Sequence, residues 1–242
     1  MTLGMIKYHL LVLWREPLNV FFGLALPFIQ LFISIGGVGT EDMPFMLEAN
    51  FAAWLIIAAM VLSFTDAAWT HAHTRGTKFL RRLRMTPITP KRYLLTGVLS
   101  RLGVLILFMV AFLPVMNIFF DENLTDRNWS LFIALLLLAF AMFYLIAMFL
   151  ANIAKSAKNS ESIVLGVFFG MIITLNLSYI PNLPEAVNNV VNVILNAFPH
   201  MSAVRLLTSA WIGTDMYVLH FITVIAYTVV FGLLSVKFFR YE

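Results

Sequence analysis

The feature that most constrains this chain is the recurrence of apolar runs long enough to cross a bilayer. A helix needs about 20 apolar residues to cross hydrocarbon, and runs of that order lie at about 18–38, 51–70, 98–120, 129–152, 160–180 and 216–236. The longest of them, Trp129 to Asn152, contains no charged residue. The whole chain is 61% hydrophobic and 12% charged, where a soluble domain has roughly half and about a quarter. The sequence therefore predicts an all-α integral membrane protein with six transmembrane helices. No internal repeat, low-complexity tract or soluble domain interrupts the pattern.

Charge then orients the spans. Lys7, Arg15, Arg75, Lys78, Arg81, Arg82, Arg84, Lys91, Arg92, Arg101, Lys155, Lys158, Lys237 and Arg240 fall on one side, and only Arg127 and Arg205 on the other. Cytoplasmic loops carry such an excess, so both termini are expected in the cytoplasm. The net charge of +4 is explained by this bias, and no nucleic-acid partner is expected. Cysteine is absent, which excludes a disulfide framework and thiolate metal sites.

Three segments differ from the spans. Residues 1–17 hold Leu3, Ile6, Leu10 and Trp14 at helical spacing, with Lys7 and Arg15 placed to reach headgroups, as in a helix lying on the membrane surface. A cleaved signal peptide competes with that reading, but the apolar run after Arg15 is long for one and no small-x-small cleavage site follows. Residues 181–215 carry Pro181, Pro184 and Pro199, and their apolar runs Val187–Leu195 and Met201–Trp211 are too short to span. They are expected to form re-entrant or interfacial helices on the extracellular side.

The third segment, 71–97, is a basic island. Phe79, Leu80 and Leu83 recur at helical spacing while Arg75, Lys78 and Arg82 take another face. The pattern predicts one amphipathic helix over Gly76–Pro87, a break at Thr86-Pro87, and a new helix started by Thr89-Pro90. Such a loop is either a topology signal or a docking surface for a soluble partner.

Chemistry has few places to live. No glycine is followed by lysine, so the phosphate-binding G-x-x-x-x-G-K-[ST] loop is missing, as are G-x-S-x-G and H-E-x-x-H. Asp66 and His73 share a helix face but His71 points away, which disfavours a metal site. Asp66 is expected to pair with Arg101 or Arg75 near the inner interface, and an ionisable residue at that depth is a functional candidate. Gly166 and Gly170 form a G-x-x-x-G face, suited to close helix approach within or between subunits.

Arg75-Gly76-Thr77, Leu80 to Pro90 and Tyr93-Leu94-Leu95 resemble the cytosolic loop of the ABC-2 family of transporter permeases. Arg15-Glu16-Pro17-Leu18 to Pro27 resembles that family's first segment, and Phe198-Pro199-His200-Met201 to Arg205-Leu206-Leu207 its extracellular segment. The likeness covers nearly the whole chain. It departs at His71, His73 and Thr74, where many members carry acidic residues.

The resemblance implies a type V exporter-like fold and a permease subunit that is not itself an enzyme. Two copies of an ABC ATPase would supply ATP hydrolysis, holding ATP and Mg, with no cofactor bound by this chain. Arg75, Gly76, Lys78, Phe79, Leu80, Arg81, Arg82, Leu83, Met85, Thr86 and Pro87 would form the coupling element. A second, identical or homologous permease would pack on the Gly166/Gly170 helix. Phe168, Phe169, Met171, Thr174 and Asn176 would then line the path of a hydrophobic or amphipathic cargo such as a drug, antibiotic, peptide or lipid-like molecule. A bacterial or archaeal cytoplasmic membrane is implied, with lipid as a further partner. A lipid-linked glycan permease is the alternative within the family. Outside it stand a non-transporting scaffold or sensor, and a channel or secondary transporter.

Overall fold

A computed structural model of the chain describes residues 2–15, 21, 25, 28, 29, 43–83, 85–120, 128–177, 198–215 and 218–240. Most of the expected span 18–38 and the whole run Val187–Leu195 lie outside these. The described residues form helices and turns, with no strand among them. In chain order the helices are α1 (Thr2–Arg15), α2 (Met43–Thr65), α3 (Ala72–Gly76), α4 (Phe79–Leu83), α5 (Pro90–Phe120), α6 (Trp129–Ile153), α7 (Ala157–Leu177), α8 (Pro199–Ile212) and α9 (Val218–Lys237). Between α2 and α3 the chain takes a π-helical turn over Asp66–His71.

Four helical segments among the described residues are long and apolar enough to cross a membrane: Pro90–Pro114, Trp129–Ile153, Lys158–Leu175 and Val218–Lys237. Phe51–Thr65 of α2 is a shorter apolar helix. The span expected to start near Val98 belongs to a helix that already begins at Pro90. There the Thr89 hydroxyl accepts from the Arg92 N–H at 3.4 Å, as an N-cap does.

Helices that are apolar on every side belong inside, and the packing follows that rule. From Phe51 to Phe64 every residue of α2 is buried, with α6, α8, α5 and α7 around it. α6 is the other core helix and packs on α9, α2, α7 and α8. The outer helices keep broad apolar faces: only 17% of α9 is buried, against 61% of α6. Exposed apolar area of that extent calls for lipid or another protein as its solvent.

α8 carries the expected run Met201–Trp211. Pro199 occupies its first turn, and Gly213, at φ 82°, ends it in the left-handed conformation that glycine adopts without steric cost. Its Trp211 closes an aromatic cluster, 4.3 Å from Phe51, 5.2 Å from Phe132 and 5.4 Å from Trp129 between ring centroids. Nothing in the local pattern marks this cluster, because its rings come from three helices.

The helix expected over Gly76–Pro87 is shorter, running as α4 over Phe79–Leu83 with a turn before it. α3 stops at Gly76, Lys78 turns the chain at φ 58°, and α4 restarts at Phe79. The Lys78 N–H donates to the Arg75 carbonyl at 3.0 Å, which satisfies part of the α3 C-terminus as a left-handed cap does. Glycine and a β-branched threonine at 76 and 77 propagate a helix poorly. α4 in turn ends where the Thr86 hydroxyl donates to the Leu83 carbonyl at 2.7 Å.

Candidate docking knuckle and its polar base

The broken helix makes a knuckle with an apolar underside and a cationic top. Leu80 and Leu83 are buried in the core. Phe79 is half-buried, stacked on Tyr8 of α1 with centroids 4.8 Å apart and ring planes 11° from parallel. Above them Gly76, Lys78, Arg81, Arg82, Thr86 and Pro87 are exposed, and Met85 is 82% exposed. Three cations around an exposed, adaptable thioether suit a partner that offers acidic groups beside an apolar groove.

Arg75 does not join that surface. It is buried, and its guanidinium donates to the carbonyls of Ala151 at 2.7 Å and Ala154 at 3.1 Å. These carbonyls lie at the C-terminal end of α6, where a cation also complements the helix dipole. Arg75 therefore anchors the knuckle to α6.

Beneath the knuckle lies a buried polar base. Of the two bases expected for Asp66, Arg101 is the one that pairs with it. The other arm of the Arg101 guanidinium donates to the His9 carbonyl of α1 at 2.8 Å. Burial pushes the His9 imidazole down to about 4, with the Arg101 charge adding to the effect and Asp66 opposing it. Gly97 was not singled out by sequence, yet a Cβ there would overlap the Tyr144 hydroxyl. A lone glycine in an apolar helix carries no signal of a ring arriving from another element.

His71 lies 3.3 Å from the Asn152 side-chain oxygen, while the His73 side chain is outside the described residues. Among the described residues no three His, Cys, Asp or Glu groups are gathered as a metal would require.

The α7 residues divide between a surface and the core. Gly166, Phe169 and Gly170 are exposed, and a Cβ on either glycine would meet nothing within 4 Å. With Ile173, also exposed, they form one exposed helical stripe. Phe168 and Met171 are buried, Phe168 with its centroid 5.8 Å from that of Phe64. Thr174 is half-buried and 3.0 Å from His200 Nε2. Burial pushes His200 down to about 4. Asn176 is on α7, its side chain outside the described residues.

The family model described as ABC-2 family transporter protein matches residues 46–237, which include the knuckle, the α7 stripe and, of the polar base, Asp66, His71, Arg101 and Asn152. No curated protein matches the chain.

Proposed function

The chain belongs to the ABC-2 transporter family, and from that premise we propose that it is the permease subunit of an ATP-driven exporter. Two permeases, identical or homologous, join two copies of a separate ATPase and move a hydrophobic or amphipathic compound outward. Six spans place both termini and the knuckle on the cytoplasmic side. The observation that carries this reading is the knuckle itself. Its Lys78, Arg81, Arg82 and Met85 stand out from the surface, while Leu80 and Leu83 root it in the core. A loop that served only as a topology signal would need its charge but not this rooted geometry.

The open α7 stripe of Gly166, Phe169, Gly170 and Ile173 supports contact with a second permease and, beside it, with cargo. Its apolar character favours an amphipathic compound over a lipid-linked glycan, which would suit a more polar conduit.

The test is co-expression of the tagged chain with a candidate ABC ATPase. The ATPase should co-purify, and its ATP turnover should change with cargo. Arg81→Ala/Arg82→Ala/Met85→Ser should lose the ATPase while the permease still reaches the membrane. Because Leu83 is buried and Phe79 holds α1, Phe79→Ala/Leu83→Ala would confound docking with folding. ATPase capture by the triple variant at the parental level would overturn the docking assignment.

A further inference from the structure

We propose that Asn152, near the end of α6, is a positioning residue that sets the knuckle in register with the membrane core, with the C-terminal residues of the chain as its second partner. This rests on the permease reading above for its purpose, although not for its geometry.

Asn152 is fully buried. Its amide nitrogen donates to the Met148 carbonyl one turn back at 2.7 Å, which fixes the direction of its oxygen. That oxygen accepts from the Arg240 backbone N–H at 3.0 Å and lies 3.3 Å from His71 Nε2. An amide oxygen only accepts, so Nε2 carries the hydrogen. Two segments distant in sequence thus meet on one atom.

Both segments matter to the knuckle. His71 ends the π-helical turn and directly precedes α3, where the knuckle begins. Phe239, next to Arg240, packs its ring on His71 at 5.9 Å and on Tyr93 of α5 at 5.5 Å. The Ala154 carbonyl is shared in the same way, accepting from Arg75 at 3.1 Å and from Arg240 Nη1 at 3.4 Å.

The segments entering and bracing the knuckle are therefore held to the last turn of a core helix by directional bonds. An apolar residue of equal size at 152 would fill the space without fixing either direction. Losing a buried acceptor weakens such an arrangement by about tenfold in equilibrium terms. Short π-helical stretches are uncommon and often mark functional sites, which fits a turn whose end is pinned this way.

The experiment uses the absence of native cysteine. Spin labels on Arg81→Cys and Val229→Cys, in nanodiscs and diluted with unlabelled chain, report the distance from knuckle to α9. The parent should give one narrow distance. In Asn152→Leu a displaced population should rise about tenfold. Arg240→Pro, which removes the N–H, should behave like Asn152→Leu, and Arg240→Ala, which retains it, more like the parent.

Parental distances in Asn152→Leu overturn the proposal. If Asn152→Leu does not fold, the Arg240→Pro and Arg240→Ala pair decides, since residue 240 lies beyond α9: equal distances in the two overturn it. Failure of the parent to bind an ATPase would instead remove the permease reading and leave the distance result standing.

Discussion

The two ends of the helix bundle are built on different principles. At one end Phe51, Phe112, Phe132, Trp129 and Trp211 close the core with rings 4.3 to 6.1 Å apart. At the other, α2, α5 and α6 finish in the polar base of Asp66, Arg101, His9, His71 and Asn152. Aromatic packing stabilises through area and shape and tolerates small shifts. Buried charges and amides tolerate few, because each must keep its partner. The polar end is the one that carries the knuckle, so the position of the proposed docking surface rests on directional bonds.

That contrast can be broken at its strongest point by Arg101→Leu. It strands the Asp66 carboxylate in the core and should cost about 3–5 kcal/mol, measured as a lower melting temperature in detergent. Asp66→Leu/Arg101→Leu should recover much of the loss. A double variant no better than the single one would mean that the ion pair does not govern this end.

Acid should sharpen the comparison, since each end owns a buried histidine. His9 and His200 are held at about 4 in the folded chain, below their ordinary 6.5. The folded state then binds fewer protons than the unfolded one between those values. Stability is full above pH 6.5 and falls as pH drops toward 4, by about 2 kcal/mol per histidine at pH 5. His9→Gln and His200→Gln should each flatten the melting-temperature profile in that window. A variant with the parental slope would exclude its histidine as a source.

Gly97→Ala comes next, at about 1–3 kcal/mol, because its Cβ enters the space of the Tyr144 hydroxyl. Tyr144→Phe removes the nearest atom and should relieve part of the loss in the double variant. Trp211→Phe probes the aromatic end and should cost about 1.5 kcal/mol or less, since the remaining rings can repack. A larger loss than from Gly97→Ala would reverse the ranking of the two ends. The smallest effect on stability belongs to Arg81→Ala/Arg82→Ala/Met85→Ser, within about 0.5 kcal/mol on an exposed surface. Reporter fusions at Asn123 and Lys155 should report opposite compartments, as the proposed topology requires.

Part of the site was legible in sequence. The basic island, its apolar anchors Phe79, Leu80 and Leu83 and the helix start at Thr89-Pro90 follow from local spacing. The pairing of Asp66 was narrowed to two bases on charge alone. The break at Lys78 was missed, because Gly76-Thr77 lowers helix propensity without specifying a left-handed turn. Helical spacing puts Arg75 on a face with Lys78 and Arg82 but does not say which face meets α6. For the same reason Phe168 and Phe169, adjacent in sequence, were treated alike although one is buried and the other exposed.

What the sequence determined by itself was the solvent, the helical class and the family likeness. These rest on run length, composition and short motifs, which are local and survive any rotation of a helix. Tertiary structure alone decided that Arg101 rather than Arg75 meets Asp66, that Asn152 joins His71 to Arg240, and that Gly97 admits Tyr144. The reason is physical. A helix apolar on all sides has no polar face to say which way it turns. In such a chain, contacts between distant residues are set by the rotation and depth of each helix, and only the packed assembly fixes those.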